Sequence, residues 1–176
     1  MELTTMQYDV NENIAHVIFS RPEAANAVNP TFCKDLKAVI EGIADDENVR
    51  SVAITAVGKV FCAGGDLKEF KTAGEELPGV VEAMLEDLHD AIYMMNEIPK
   101  PFVAGIQGAA GGAGIGVLYL ETGPHQSIGV IEGYAVEIEA AFHIDEYAYP
   151  FGFEHVVHLV GTLFKGQFVL ETRTTT

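Results

Sequence analysis

With 176 residues, the chain is long enough for one domain, which at this size buries roughly 70% of its unfolded surface, and too short to make two comfortable. Hydrophobic residues at 48% and charged residues at 20% form a folding composition and exclude wholesale disorder. The formal charge of -16 excludes a nucleic-acid partner, since affinity for phosphate backbones comes mainly from Lys and Arg contacts.

The opening MELTTMQYDVNEN has neither the basic nor the apolar stretch of a leader, and no apolar run approaches the ~20 residues needed to span a bilayer. A cytoplasmic chain with no membrane partner is the expectation. Two apolar runs, Met6 to Val10 and Ile14 to Phe19, flank Asn11-Glu12-Asn13 and predict a β-hairpin. Asn29 before Pro30, with Phe32, Leu36, Val39, Ile40 and Ile43 at helical spacing, predicts a capped helix from Pro30 to Ala44.

Ser51 to Val57 reads as a buried β-branched strand that ends in a loop at Gly58. Val81, Met84, Leu85, Leu88, Ala91, Ile92 and Met95 form one stripe of a second long helix that Pro99 stops. The run PFVAGI from Pro101 is another buried strand and feeds into a glycine-rich segment, Gly108 to Gly116. Strands followed by helices in this order predict an α/β domain. Cys33 and Cys62 lack CxxC or zinc-finger spacing and read as buried small hydrophobes in a reduced chain.

Two strand-to-glycine-loop units carry the chemistry. The first is Gly58-Lys59-Val60-Phe61-Cys62-Ala63-Gly64-Gly65-Asp66-Leu67, in which Asp66 suits the cap of a short helix. The second, Gly108-Ala109-Ala110-Gly111-Gly112-Ala113-Gly114-Ile115-Gly116, leads into a predicted helix whose start offers free N–H groups to an anion. Converging donors from both would stabilise a developing negative oxygen by roughly 2.7–4 kcal/mol each. Either loop by itself is better explained by tight helix-to-sheet packing, and it is the pair that shifts the balance. No Gly-Lys-Ser/Thr of a P-loop occurs, and the third glycine of a dinucleotide fingerprint is out of place.

Three blocks, Arg21-Pro22-Glu23-Ala24-Ala25-Asn26-Ala27-Val28-Asn29, Phe61 to Phe70, and Lys100 to Gly108 with the glycine run behind it, resemble the enoyl-CoA hydratase/isomerase (crotonase-like) family in order and spacing over roughly the first 120 residues. The resemblance implies a spiral of β-β-α units, an acyl-CoA thioester as partner, and a homotrimer or hexamer. Coenzyme A would enter as part of the substrate, with no separate cofactor and no metal. It further implies that Ala24, Ala25 and Asn26 lie along the CoA moiety and that Ala63, Gly64, Gly65, Asp66 and Leu67 line the thioester pocket. The N–H groups of Ala63 and Ala113, the latter beside Gly112, would form the oxyanion hole. A polyanionic CoA on so acidic a chain needs local cations, and Arg21, Lys59 and Lys68 are the candidates, each also readable as an ordinary surface charge.

The chain departs from the family where proton transfer is expected. Gly116 stands at the position of the first catalytic glutamate, and Val136, with Glu137 adjacent, at that of the second. Hydration needs an acid and a base within reach of substrate and water, so isomerisation is favoured over hydration. A noncatalytic or defective acyl-CoA-binding member, truncated or rearranged, is the alternative.

The expected organisation is a crotonase-like core over residues 1–120 and a divergent segment, 121–176, packed on the same domain. In that segment the family pattern is lost, Lys165 and Arg173 are the only Lys or Arg, and runs from Ile128 to Phe142 and Phe151 to Leu170 could complete the core. Two further readings there are a metal site of His143, Asp145, Glu146, His155 and His158, and a catalytic acid among Glu121, Glu132 and Glu137. Both compete with plain surface or core-edge side chains.

Overall fold

The computed structural model describes residues 2–114 and 129–130. It begins with the expected hairpin, β1 (Met6–Asn11) antiparallel to β2 (Ile14–Phe19), turned by Glu12 and Asn13. Both turn residues have positive φ, 50° and 65°, the geometry of a two-residue turn whose twist matches its strands. In β2 the alternation is literal: Ala15, Val17 and Phe19 are fully buried, and Ile14, His16 and Ile18 are half-buried.

Helix α1 (Pro30–Asp45) starts as the Asn29-Pro30 pair dictates. The Asn29 side-chain oxygen accepts from the Phe32 N–H at 2.8 Å, and proline occupies the position where no N–H is needed. Phe32, Leu36, Val39, Ile40 and Ile43 all point into the core. At the other end Lys100 Nζ donates to the carbonyls of Ile43 and Asp46, satisfying oxygens that a helix terminus leaves open.

Strand β3 (Ser51–Ala56) returns parallel to β2, and β5 (Phe102–Ile106), buried along its whole length, lies parallel to β3. Gly129–Val130 form β7, parallel to β5, so the main sheet runs β1-β2-β3-β5-β7. Between β3 and β5 come the short strand β4 (Val60–Cys62), α2 (Leu67–Ala73) and α3 (Leu77–Glu97). Met84, Leu88, Ala91 and Met95 of α3 are buried. Leu85, expected in that stripe, is 37% exposed, because the buried seam is narrower than the seven-residue stripe read from the sequence.

The core centres on Phe19, whose ring meets Phe32 edge-on at 4.8 Å and Phe61 at 5.4 Å, joining sheet, α1 and the first glycine loop. Cys33 and Cys62 are buried and free, and burial, with Asp87 and Cys62 adding to it, pushes the Cys33 thiol up to about 12. On the opposite side of α1 the buried Asp35 carboxylate accepts from the N–H groups of Thr4 and Thr5 at 3.0 and 2.9 Å and from the Thr5 hydroxyl at 2.8 Å. Those bonds fix the chain entering β1. No helix among the described residues is long and apolar enough to cross a membrane.

The Asn29 cap gives a direct test of this reading. Asn29→Ala should lower the unfolding free energy by about 1 kcal/mol and Asn29→Ser by less, as followed by urea denaturation. An unchanged midpoint in the alanine variant would show that the cap contributes nothing.

Candidate functional site

The two glycine loops lie side by side. Strand β4 pairs in parallel with β6 (Ala109–Ala110), a second small sheet inside the loops that the sequence reading did not anticipate. The Gly111 N–H then donates to the Cys62 carbonyl at 2.9 Å. Such proximity requires bare backbone. A Cβ on Gly108 would stand 2.0 Å from the Lys59 carbonyl oxygen, and one on Gly64, whose φ is +93°, would meet the Gly111 oxygen at 2.9 Å.

The segment from Arg21 to Val28 flanks the first loop on its other side. Val28 forms a parallel bridge to Gly65: its N–H donates to the Gly64 carbonyl at 2.7 Å, and its carbonyl accepts the Asp66 N–H at 2.8 Å. The peptide between Gly64 and Gly65 is trans and planar, so its N–H points opposite to its carbonyl. The Gly65 N–H therefore faces away from Val28. Neither it nor the Ala113 N–H donates to another group among the described residues. Ala113 begins the turn of helix behind Gly112, whose φ is +50°.

The expected role of Ala63 is corrected here. Its N–H donates to the Ala25 carbonyl at 3.0 Å and is not open to a ligand. The open donor lies two residues on, at Gly65, because Gly64 with its φ of +93° breaks the strand alternation that would otherwise turn both N–H groups to the same side. The signal for this lay in the coupling between segment 24–28 and the loop, which is not visible in either stretch read separately.

Asn26, expected along a ligand, is fully buried, and its side chain is spent on the fold. Its Oδ1 accepts from the Arg21 N–H at 2.8 Å, and its Nδ2 donates to the carbonyls of Val57 and Val60 at 2.9 and 2.8 Å. Ala24 and Ala25 are half-buried, their N–H groups close on Arg21 and Pro22, and their carbonyls accept from Ala27 and Ala63, so the segment can offer a ligand only the second lone pair of each carbonyl and no donors. Ala25 and Asn26 both hold positive φ, 51° and 52°.

Arg21 is likewise not a free cation. Its guanidinium donates to the Ala27 carbonyl at 2.6 Å and to Asp66 Oδ2 at 3.0 Å, with Glu69 4.0 Å away. Asp66 also caps α2 by accepting from the N–H groups of Lys68 and Glu69. Burial raises its carboxyl, but the Glu69 N–H, Arg21 and the Lys68 N–H outweigh that and hold it below the ordinary carboxylate range. Lys59 and Lys68 are exposed beside the loop, and Leu67 is 78% exposed.

Positions 116, 136 and 137, the other carboxylates and the histidines noted in the C-terminal stretch lie outside the described residues. Among the described residues no group of three His, Cys, Asp or Glu side chains is arranged to hold a metal ion.

A carboxyl depressed in the folded state stabilises the fold above its unfolded value of about 3.9, and that contribution is lost as pH falls through the folded value. Asp66→Asn should therefore cost about 1–3 kcal/mol near pH 7, with the gap to the parent closing as pH falls below about 4. Urea unfolding at several pH values measures it; a gap independent of pH would show that the charge is not what matters.

Residues 9–120 match the enoyl-CoA hydratase/isomerase family. The chain is 33% identical over 114 residues, 65% of its own length and 42% of the relative's, to a Rhodobacter capsulatus protein named "Probable enoyl-CoA hydratase". It is 30% identical over 115 residues, 64% of itself and 43% of the relative, to the trans-2-decenoyl-[acyl-carrier-protein] isomerase of Streptococcus mutans. The chain thus spans less than half the length of these relatives. The crystal structure of an enoyl-CoA hydratase from Polaromonas sp. JS666 superposes with a TM-score of 0.63 at 28% identity, over 72% of this chain and 48% of that one. Together with the strand order and the paired glycine loops, these matches show a crotonase fold, and the chain belongs to the enoyl-CoA hydratase/isomerase family.

Proposed function

We propose that the chain binds an acyl-CoA thioester between the two glycine loops and polarises its carbonyl with the N–H groups of Gly65 and Ala113, favouring isomerisation over hydration. The observation that carries this is the orientation of the Gly64–Gly65 peptide: its carbonyl is held by Val28, so its N–H is turned away from that segment and left without a partner among the described residues. Backbone donors fixed before the substrate arrives cost no reorganisation as charge develops on the oxygen. The half-buried Ala24–Ala25 stretch and the exposed Lys59 and Lys68 would meet the CoA portion, the first through carbonyl oxygens and the second through charge. Coenzyme A is then part of the substrate, and no further cofactor is invoked.

Isomerisation is favoured because Gly116 provides no side chain for the two-carboxylate hydration scheme. Asp66 cannot substitute for it, since its oxygens are committed to Arg21 and the start of α2. The Streptococcus mutans relative, named as an isomerase, lies within the same range of similarity as the hydratases. A second reading, a noncatalytic acyl-CoA-binding member, is favoured by the same glycine.

Two measurements separate these readings. Butyryl-CoA should raise the melting temperature, and crotonyl-CoA or a 3-enoyl-CoA should change its enoyl absorbance if the chain turns over; stabilisation with flat absorbance selects the second reading, and neither effect rejects both. Gly64→Ala should abolish the stabilisation, because the new Cβ meets the Gly111 oxygen in a backbone conformation that disfavours side chains. Undiminished binding by that variant would place the ligand elsewhere.

A further inference from the structure

Phe70 has no part in the chemistry described so far, yet its ring stands against the proposed donor. Asp66 caps α2, and the Phe70 N–H donates to the Asp66 carbonyl at 3.0 Å, which sets Phe70 one helical turn beyond the loop. Helical side chains lean back toward the N-terminus, so the ring returns over Gly65. Its Cε2 and Cζ atoms would lie only 2.6 and 2.9 Å from a Cβ placed on Gly65. The ring is half-buried: part of it packs on the hydrophobic core, and the rest is open to solvent.

We infer that Phe70 and the bare Cα of Gly65 are a matched pair that selects among acyl groups, admitting thioesters unbranched at the carbon beside the carbonyl and disfavouring branched ones. The inference rests on the acyl-thioester reading above. A Cβ projects out of the line of the backbone N–H, so the ring flanks the donor without blocking it. An oxygen held by the Gly65 N–H brings its carbonyl carbon and that carbon's neighbours against the aromatic wall. A straight chain has one substituent to place there, and a branched chain has two. Gly65 in turn must remain glycine, because any side chain would displace the ring that forms the wall.

Butyryl-CoA and isobutyryl-CoA are isomers that differ in whether one methyl ends the chain or branches from the carbon beside the carbonyl, and titration calorimetry of both against the full chain gives a ratio of affinities. The parent should prefer butyryl-CoA. Phe70→Ala should shift the ratio toward the branched ligand by about tenfold, the scale of one misplaced methyl in a pocket, and Phe70→Leu, which keeps a side chain on the core, by less. Gly65→Ala should weaken butyryl-CoA binding, and adding Phe70→Ala to it should restore that binding by removing the clash. Ratios unchanged within about twofold in both Phe70 variants, with the parent binding butyryl-CoA, would overturn the pair and leave the thioester site standing. A parent that binds neither ligand overturns the site, and the pair with it.

Discussion

The proposed site depends on two hydrogen bonds at Val28. By accepting from Asp66 and donating to Gly64, this one residue brackets Gly65 and fixes the plane of the peptide that carries its N–H. Everything else near the loops makes that bracket possible. Val28 is fully buried and precedes the cap of α1, so its position is set by the main core. The first glycine loop is held to Val28 on one side and to Gly111 on the other, and it has little freedom left.

Holding a loop this tightly leaves polar groups in a dry environment, where each unpaired one would cost about 1–3 kcal/mol. The Arg21, Asn26, Asn29, Asp66 and Glu69 cluster answers that cost. Asn26 uses both ends of its amide on backbone groups, the Arg21 N–H and the carbonyls of Val57 and Val60, and Arg21 covers the Ala27 carbonyl and the Asp66 carboxylate together. Asn29 caps α1 with its oxygen while its amide donates to Glu69 at 2.6 Å, tying the start of α1 to α2. Residues that look like ligand contacts by type are thus the frame around a backbone site.

How much of this was legible in the sequence depended on range. The hairpin, α1 with its Asn29-Pro30 start, β3, β5 and the Asp66 cap are local patterns, written in alternation, helical spacing and cap chemistry. The partners of the Ala63 N–H and the Arg21 guanidinium, Ala25 and Asp66, lie 38 and 45 residues away in the chain and leave no local pattern. The β4–β6 sheet escaped notice for a related reason. Two- and three-residue strands inside glycine loops have no periodicity to read, and their pairing appears only once the strands that carry them are side by side.

A chain of net charge -16 is an unpromising host for a polyanionic ligand until the nature of the site is taken into account. Charge repulsion acts over distance and is screened by salt, with a Debye length of about 8 Å at physiological ionic strength. Backbone N–H dipoles act at contact, in a cleft from which water is displaced, and depend on orientation more than on net charge. Among the described residues the acidic side chains of α3 lie on the helix that packs against α1, with Asp87 and Asp90 bound to Lys37, whereas Lys59 and Lys68 stand exposed on the glycine loop and α2. The proposed division of labour follows from this arrangement. In that proposal two exposed lysines would meet the phosphates in solvent, and the thioester oxygen would meet backbone donors, of which Val28 aims that of Gly65.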